Sequence, residues 1–169
     1  MGLTNLENKE TLPLRLRGTS DLVPIDYELP VPSAQIKSAI LIAGLMASGE
    51  TTVIEKQSTR DHTERMLKYF GAKVRCESKS NGSRRITVSG DAELDGKKIC
   101  VPGDPSSAAF LVAAALITHC SDVTIKGVLI NETRTGFYKT LIEMGANINF
   151  MNEREQGGEL VADILLEPL

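Results

Sequence analysis

Between Tyr27 and Gly90 the apolar positions change period in a fixed order, and the same order returns between Lys98 and Leu166. In the first pass, Tyr27 to Val31 is a short extended run closed by proline, and Ser33 to Ser48 reads as a helix. Thr51 to Glu55 (TTVIE) is a β-branched strand, and Asp61 to Phe70 is a second helix with Thr63, Met66, Leu67 and Phe70 on one face. Lys73 to Glu77 and Arg85 to Val88 alternate polar with apolar residues around Asn81-Gly82, the signature of a hairpin. The second pass gives a strand at Lys98 to Val101, a helix at Pro105 to Thr118, a strand at Asp122 to Lys126 and a helix at Thr135 to Met144. Asn147 to Met151 and Leu160 to Leu166 close it as a strand pair. Gly71-Ala72 and Gly145-Ala146 follow the second helix of each pass, where a left-handed C-cap favours glycine. Each unit is therefore βαβαββ.

The first helix of each unit departs from the usual amphipathic stripe. Ala39 to Ala47 (AILIAGLMA) and Ala108 to Ile117 (AAFLVAAALI) are apolar all round, so protein must enclose them. The expected fold class is α+β, with repeated βαβαββ units, helices buried inside and sheets facing outward. More than one unit is needed around each such helix, so this array is expected to be incomplete. Leu12 to Arg17 (LPLRLR) alternates like a strand and fits neither copy. The predicted organisation is residues 1–26 as the tail strand and linker of a preceding repeat, 27–100 as one βαβαββ unit, and 101–169 as the next. The sequence thus reads as a piece of a longer repeat protein.

Composition narrows the function classes. The 169 residues carry 22 acidic against 19 basic side chains, a net charge of -3, and 41% apolar residues. No stretch approaches the roughly 20 apolar residues that span a bilayer, and Met1 to Glu10 lack a signal-peptide layout, which predicts a cytoplasmic protein. With four Phe, three Tyr and no Trp there is neither a basic footprint nor a stacking platform, and nucleic acid is not an expected partner. Cys76, Cys100 and Cys120 are odd in number and far apart, and are expected to be buried, reduced thiols.

Three segments could carry chemistry. Pro32-Ser33-Ala34-Gln35-Ile36-Lys37-Ser38 opens the first apolar helix with hydroxyl, amide and ammonium groups at the positive end of its dipole, a ready anion site. The alternative is an N-cap at Ser33 beside a solvated Lys37. In Thr59-Arg60-Asp61-His62-Thr63-Glu64, Asp61 and Glu64 have the spacing of a capping box. Arg60 opposes the helix dipole by roughly 0.3 to 1 kcal/mol when exposed and is better tolerated if it meets an external anion, which a guanidinium forks well. Yet Thr133-Arg134 stands at the equivalent place in the second unit, so both arginines could brace the fold; His62 reads as a surface partner of Glu64. Asp104-Pro105-Ser106-Ser107 is explained by helix capping, and Val101-Pro102-Gly103 could act as a hinge. No phosphate loop or metal-ligand cluster is read, which disfavours nucleotide and metal chemistry.

At these motifs the chain resembles the 5-enolpyruvylshikimate-3-phosphate synthase family, enolpyruvyl transferases of aromatic amino-acid and chorismate biosynthesis. Ser33-Ala34-Gln35-Ile36-Lys37 matches S-A-Q-x-K, Arg60 to Glu64 matches R-x-H-x-E, and Asn131-Glu132-Thr133-Arg134 matches N-x-T-R. Together these are the class II pattern, the group associated with glyphosate tolerance. Val101 to Ser107 (VPGDPSS) and Leu12 to Gly18 (LPLRLRG) also sit where the family has near-identical stretches.

The resemblance implies a two-lobed fold of such units, with 27–100 in one lobe and 101–169 in the other. It implies transfer of the enolpyruvyl group of phosphoenolpyruvate to the 5-hydroxyl of shikimate 3-phosphate, through a tetrahedral intermediate and with no cofactor or metal. Both substrates would lie between the lobes. Ser33, Ala34 and Gln35 would contact shikimate 3-phosphate, with Ser33 on the phosphate and Gln35 on the ring side, and Arg60 would be the second contact. The family's lysine-bearing N-terminal motif, its arginines that clamp phosphoenolpyruvate and its proton-transfer residues have no match here, so no catalytic residue is assigned. Losing those cations costs many powers of ten in rate, and the chain is expected to be inactive without the remaining segments of a full-length enzyme. Two alternatives stand beside this reading: a piece of the related UDP-N-acetylglucosamine enolpyruvyl transferase, or a non-catalytic βαβαββ repeat module that self-associates through exposed apolar faces.

Overall fold

The computed structural model describes residues 1–7, 9 and 11–167. Asn8 and Glu10 of the first predicted segment, and Pro168 and Leu169 of the third, lie outside the described residues. The chain forms two compact units, Met1–Thr59 with Phe70–Asp95, and Arg60–Tyr69 with Gly96–Leu169.

The first unit begins with a short antiparallel pair, β1 (Thr4–Asn5) and β2 (Leu16–Arg17), the observed extent of the strand expected over Leu12 to Arg17. Next come β3 (Asp26–Glu28), helix α1 (Ala34–Gly44) and β4 (Glu50–Glu55). After the excursion that carries α2 (His62–Tyr69), the unit closes with β5 (Val74–Ser78) and β6 (Arg84–Ser89). The sheet order is β3-β4-β6-β5, with β3 parallel to β4 and the other pairs antiparallel. Strand alternation puts Thr51, Val53 and Glu55 of β4 on one face, beside Val88 and Ile86 of β6, and α1 packs over these two strands. Leu41, Val53, Ile86 and Val88 are the fully buried apolar side chains there. On the opposite face the buried hydroxyls of Thr52 and Thr87 meet at 3.0 Å. The hairpin turn runs through Asn81 and Gly82 (φ 80°), with the Lys79 amide donating to the Ser83 carbonyl.

In the second unit α2 is joined by α3 (Pro105–Ile117), β7 (Val123–Leu129), α4 (Gly136–Glu143), β8 (Ile148–Gln156) and β9 (Glu159–Leu166). The strands form an antiparallel sheet ordered β7-β9-β8. Its core is Ala108, Val112 and Ala115 of α3 against Val128, Ile148, Ile164 and Leu166, closed by Tyr138, whose hydroxyl donates to the Pro105 carbonyl at 2.6 Å. Gly71 and Gly145 follow α2 and α4 with φ of 96° and 98°, the positive values that a Cβ would disfavour.

Four expectations are corrected. Lys98 to Val101 is not a strand, and only Gly103 makes a parallel bridge, to Val128. The pairing stops at a bulge in β7 between Ile125 and Val128, where the Gly127 carbonyl (φ 69°) accepts the Gly103 amide and the Gly127 amide donates to Asp163 Oδ1. The three cysteines are free but exposed: Cys76 on edge strand β5, Cys100 in the unpaired segment before Gly103, and Cys120 in the turn after α3. On α2 the inward face carries Glu64 and Leu67, while Met66, one residue round the helix, is exposed. Lys37 is not solvated; its side chain is fully buried.

The apolar helices are covered on one side only. Phe110 is 80% and Ile117 86% exposed on α3, and Met46, just past α1, is 72% exposed. No helix among the described residues is long and apolar enough to cross a membrane.

Candidate functional site

In the first unit the site is built on the start of α1. Ser33 is extended (φ -125°, ψ 112°) and caps the helix, its Oγ accepting the Ile36 amide at 3.3 Å. The Lys37 amide donates to the Ser33 carbonyl, which begins the helical ladder. Helix geometry then leaves the Ala34 and Gln35 amides as first-turn donors without an intrahelical acceptor. The first turn holds no acidic side chain, so nothing there cancels the positive end of the dipole. The Ser33 hydroxyl also reaches Gln35 Oε1 at 3.3 Å, and the Gln35 side chain is exposed.

Below this first turn lies a buried ion pair. Lys37 Nζ stands 3.2 Å from Glu55 Oε2, and both side chains are fully buried. The same oxygen accepts the Thr59 hydroxyl at 2.8 Å, and Arg84 Nη1 lies 3.5 Å from Glu55 Oε1 and donates to Ser58 Oγ at 3.1 Å. One carboxylate thus ties α1, β6 and the segment following β4 together. Both partners carry sequence signals, a single cation in an otherwise apolar helix and an acid ending a β-branched strand.

In the second unit, residues of the Arg60-to-Glu64 motif meet Asn131 of the Asn131-to-Arg134 motif. Asn131 is buried; its Oδ1 accepts the Thr133 amide and hydroxyl at 2.9 and 2.6 Å. Its Nδ2 donates to Asp61 Oδ1 at 2.7 Å and to Glu159 Oε2 at 3.2 Å. Asp61 Oδ2 accepts from Arg65 Nε at 2.9 Å, and His62 Nδ1 pairs with Glu159 Oε1 at 2.6 Å. The expected partner of His62 was Glu64; the helix turns Glu64 inward and His62 toward the start of β9 instead. Burial pushes the Asp61 carboxyl up, but the hydrogen bonds from Asn131 and Arg65, with the Arg65 charge, outweigh it and hold the group below its usual range.

The two equivalent arginines differ. Arg134 Nη2 donates to Asp104 Oδ1 at 2.8 Å and to Ser106 Oγ at 2.9 Å, bracing the start of α3 where Asp104 caps the Ser107 amide. The Ser107 amide and hydroxyl hold the Asp104 carboxyl low. Arg60 is exposed and, among the described residues, enters no ion pair. Ser33, Ala34 and Gln35 lie together in the first unit, and Arg60 belongs to the second. Glu159 and Glu55 carry no expectation in the sequence reading, and Asn131 enters it only as part of the Asn131-to-Arg134 motif, with no role of its own. For Asn131 the Asn-x-Thr spacing of a local turn was a usable signal, because such a turn occupies Oδ1 and leaves Nδ2 to donate elsewhere. A cavity of about 330 Å³ in the second unit is lined by His62, Met66, Cys100, Asp104, Arg134 and Glu159 among others.

The βαβαββ order from β3 to β6 and the αβαββ order from α3 to β9 belong to an enolpyruvyl transferase-like fold. The family model of EPSP synthase (3-phosphoshikimate 1-carboxyvinyltransferase) matches residues 3–164, and the chain belongs to that family. It is 56% identical over 155 residues to the 3-phosphoshikimate 1-carboxyvinyltransferase of Paramagnetospirillum magneticum, covering 92% of this chain and 35% of that one. Against the enzyme of the same name from Parvibaculum lavamentivorans it is 56% identical over 153 residues, covering 90% and 34%. A solved structure of EPSP synthase from Acinetobacter baumannii superposes with a TM-score of 0.87 at 46% identity, covering 99% of this chain and 37% of that one. The chain therefore spans about a third of the length of the relatives it matches.

Proposed function

We propose that this chain supplies the shikimate 3-phosphate side of an enolpyruvyl transfer, in the cytoplasm and without metal or cofactor. In that reaction the 5-hydroxyl oxygen gives up its proton and bonds to C2 of phosphoenolpyruvate while C3 gains a proton; loss of phosphate from C2 and of a C3 proton then restores the double bond in the product. Ser33 would donate to the substrate phosphate, the Ala34 and Gln35 amides would face the same anion, Gln35 would hold the ring side, and Arg60 would be the second contact. Residues 27–100 and 101–169 would be successive repeats of the two lobes.

The observation that carries the reading is the family match across residues 3–164, which includes every one of these positions. The acid-free first turn of α1 and the exposed Arg60 support it, because both leave positive potential for an outside anion. The chain's share is binding and orientation; turnover is expected only with the segments that supply the phosphoenolpyruvate clamp and the proton-transfer groups. The relatives' names favour the shikimate substrate over UDP-N-acetylglucosamine.

A titration followed by backbone NMR tests this. Shikimate 3-phosphate should shift Ser33, Gln35 and Arg60, and UDP-N-acetylglucosamine should not; silence with both ligands contradicts the reading. Mixing the chain with the complementary segments of a full-length relative should restore phosphate release. A second reading, self-association, is favoured by the exposed Phe110, Leu111 and Ile117 on α3. Sedimentation of the chain, with and without Phe110→Lys, separates the two.

A further inference from the structure

Arg60 has one acid directly beside it in sequence, and that acid is held by other partners. Asp61, its neighbour in sequence, is the obvious side chain to neutralise it. Both Asp61 oxygens are occupied, Oδ1 by Asn131 Nδ2 at 2.7 Å and Oδ2 by Arg65 Nε at 2.9 Å. Glu159 is held likewise, Oε1 by His62 Nδ1 at 2.6 Å and Oε2 by Asn131 Nδ2 at 3.2 Å, with Arg65 Nε a further 3.7 Å from Oε2. A single neutral amide therefore bridges two carboxylates. Its own oxygen is fixed by Thr133, so its orientation is set and the amino group must face the acids.

We propose that Asn131 is a positioning residue for the anion site. By holding Asp61 and Glu159 away from Arg60, it leaves that guanidinium without an internal counter-ion and so available to a phosphate monoester. This deepens the reading of Arg60 as a substrate contact and rests on it. A carboxylate allowed to swing onto Arg60 would compete with the ligand for the same fork of donors, and the ligand would have to displace it.

The test is the affinity of the chain for shikimate 3-phosphate, measured by calorimetry on wild type, Asn131→Ala, Asp61→Asn and the double variant Asn131→Ala/Asp61→Asn. The expected result is about a tenfold loss in Asn131→Ala, because Asp61 is released onto Arg60, and recovery toward wild type in the double variant, because the competing charge is gone. A merely structural Asn131 predicts the opposite for the double variant, which would bind no better than Asn131→Ala; that result overturns the proposal, as does wild-type affinity in Asn131→Ala. If Asn131→Ala does not fold, Asp61→Asn alone decides: affinity at or above wild type supports the proposal, and a tenfold loss overturns it. No binding by the wild-type chain would overturn both this inference and the function it rests on, whereas binding with a failed rescue overturns the inference alone.

Discussion

Lys37 Nζ and Glu55 Oε2 lie 3.2 Å apart with both side chains fully buried, one turn of helix beyond the Ser33 cap. Two charges removed from water stabilise a fold only while they stay compensated, and deleting one leaves the other buried with its nearest counter-charge gone. Lys37→Met and Glu55→Gln are each expected to lower the unfolding free energy by about 3 to 5 kcal/mol. Denaturant titration of the variants checks this, and a loss below about 1 kcal/mol would show that the pair is not the anchor of α1.

Gly44 ends α1 against the sheet. A Cβ placed there would stand 2.8 Å from Thr51 Cβ and 2.9 Å from Val88 Cγ1. Helix propensity favours Gly44→Ala by about 1 kcal/mol, but overpacking against two β-branched residues costs about 1 to 3 kcal/mol. Packing should win, since Thr51 and Val88 are fully buried and have no solvent to retreat into. The variant should melt below wild type; a rise in melting temperature would mean that α1 moves freely on β4 and β6.

Acid should loosen the second unit. Three carboxyls there sit below the ordinary Asp value of 3.8. In Asp61, burial is outweighed by Asn131 and Arg65; in Asp104, the cause is the Ser107 amide and hydroxyl; in Asp163, it is Asn152 and the Gly127 amide. A depressed folded value means that the unfolded chain binds more protons, so this stability is present above pH 3.8 and is lost as pH falls through the lower folded values. The urea midpoint should hold from pH 7 to about 5 and drop below about 4. Asn131→Ala should flatten part of that drop, because Asp61 then returns toward its ordinary value.

The exposed thiols give a quick check of the surface. Cys76, Cys100 and Cys120 should all react with an aromatic disulfide reagent in the native chain, before any unfolding. Reaction of any one only in denaturant would place that residue inside.

Much of the fold was readable because period and punctuation agree. The hairpin around Asn81-Gly82, the Asp104-Pro105 start of α3 and the glycines after α2 and α4 each combine a pattern with a residue whose backbone chemistry demands it. What was misread depends on partners distant in sequence. Lys98 to Val101 has strand composition but its pairing stops at the bulge, and the cysteines stand among apolar residues in sequence yet are exposed in the fold. The candidate site was half visible. Ser33 and Arg60 announce themselves at helix starts, whereas Asn131 joins Asp61 across 70 positions, and no local pattern reports a contact of that reach. Lys37 reads in the sequence either as part of an anion site or as a solvated lysine, because nothing local reports that Glu55 on another element meets it in the interior.

The most direct measurement is calorimetric titration of shikimate 3-phosphate into the wild-type chain, Ser33→Ala and Arg60→Ala. Wild type should bind. Each variant should lose about ten- to a hundredfold in affinity, the worth of one hydrogen bond to a charged group, and UDP-N-acetylglucosamine should give no heat. Equal affinity in all three proteins, or none in the wild type, would contradict the account.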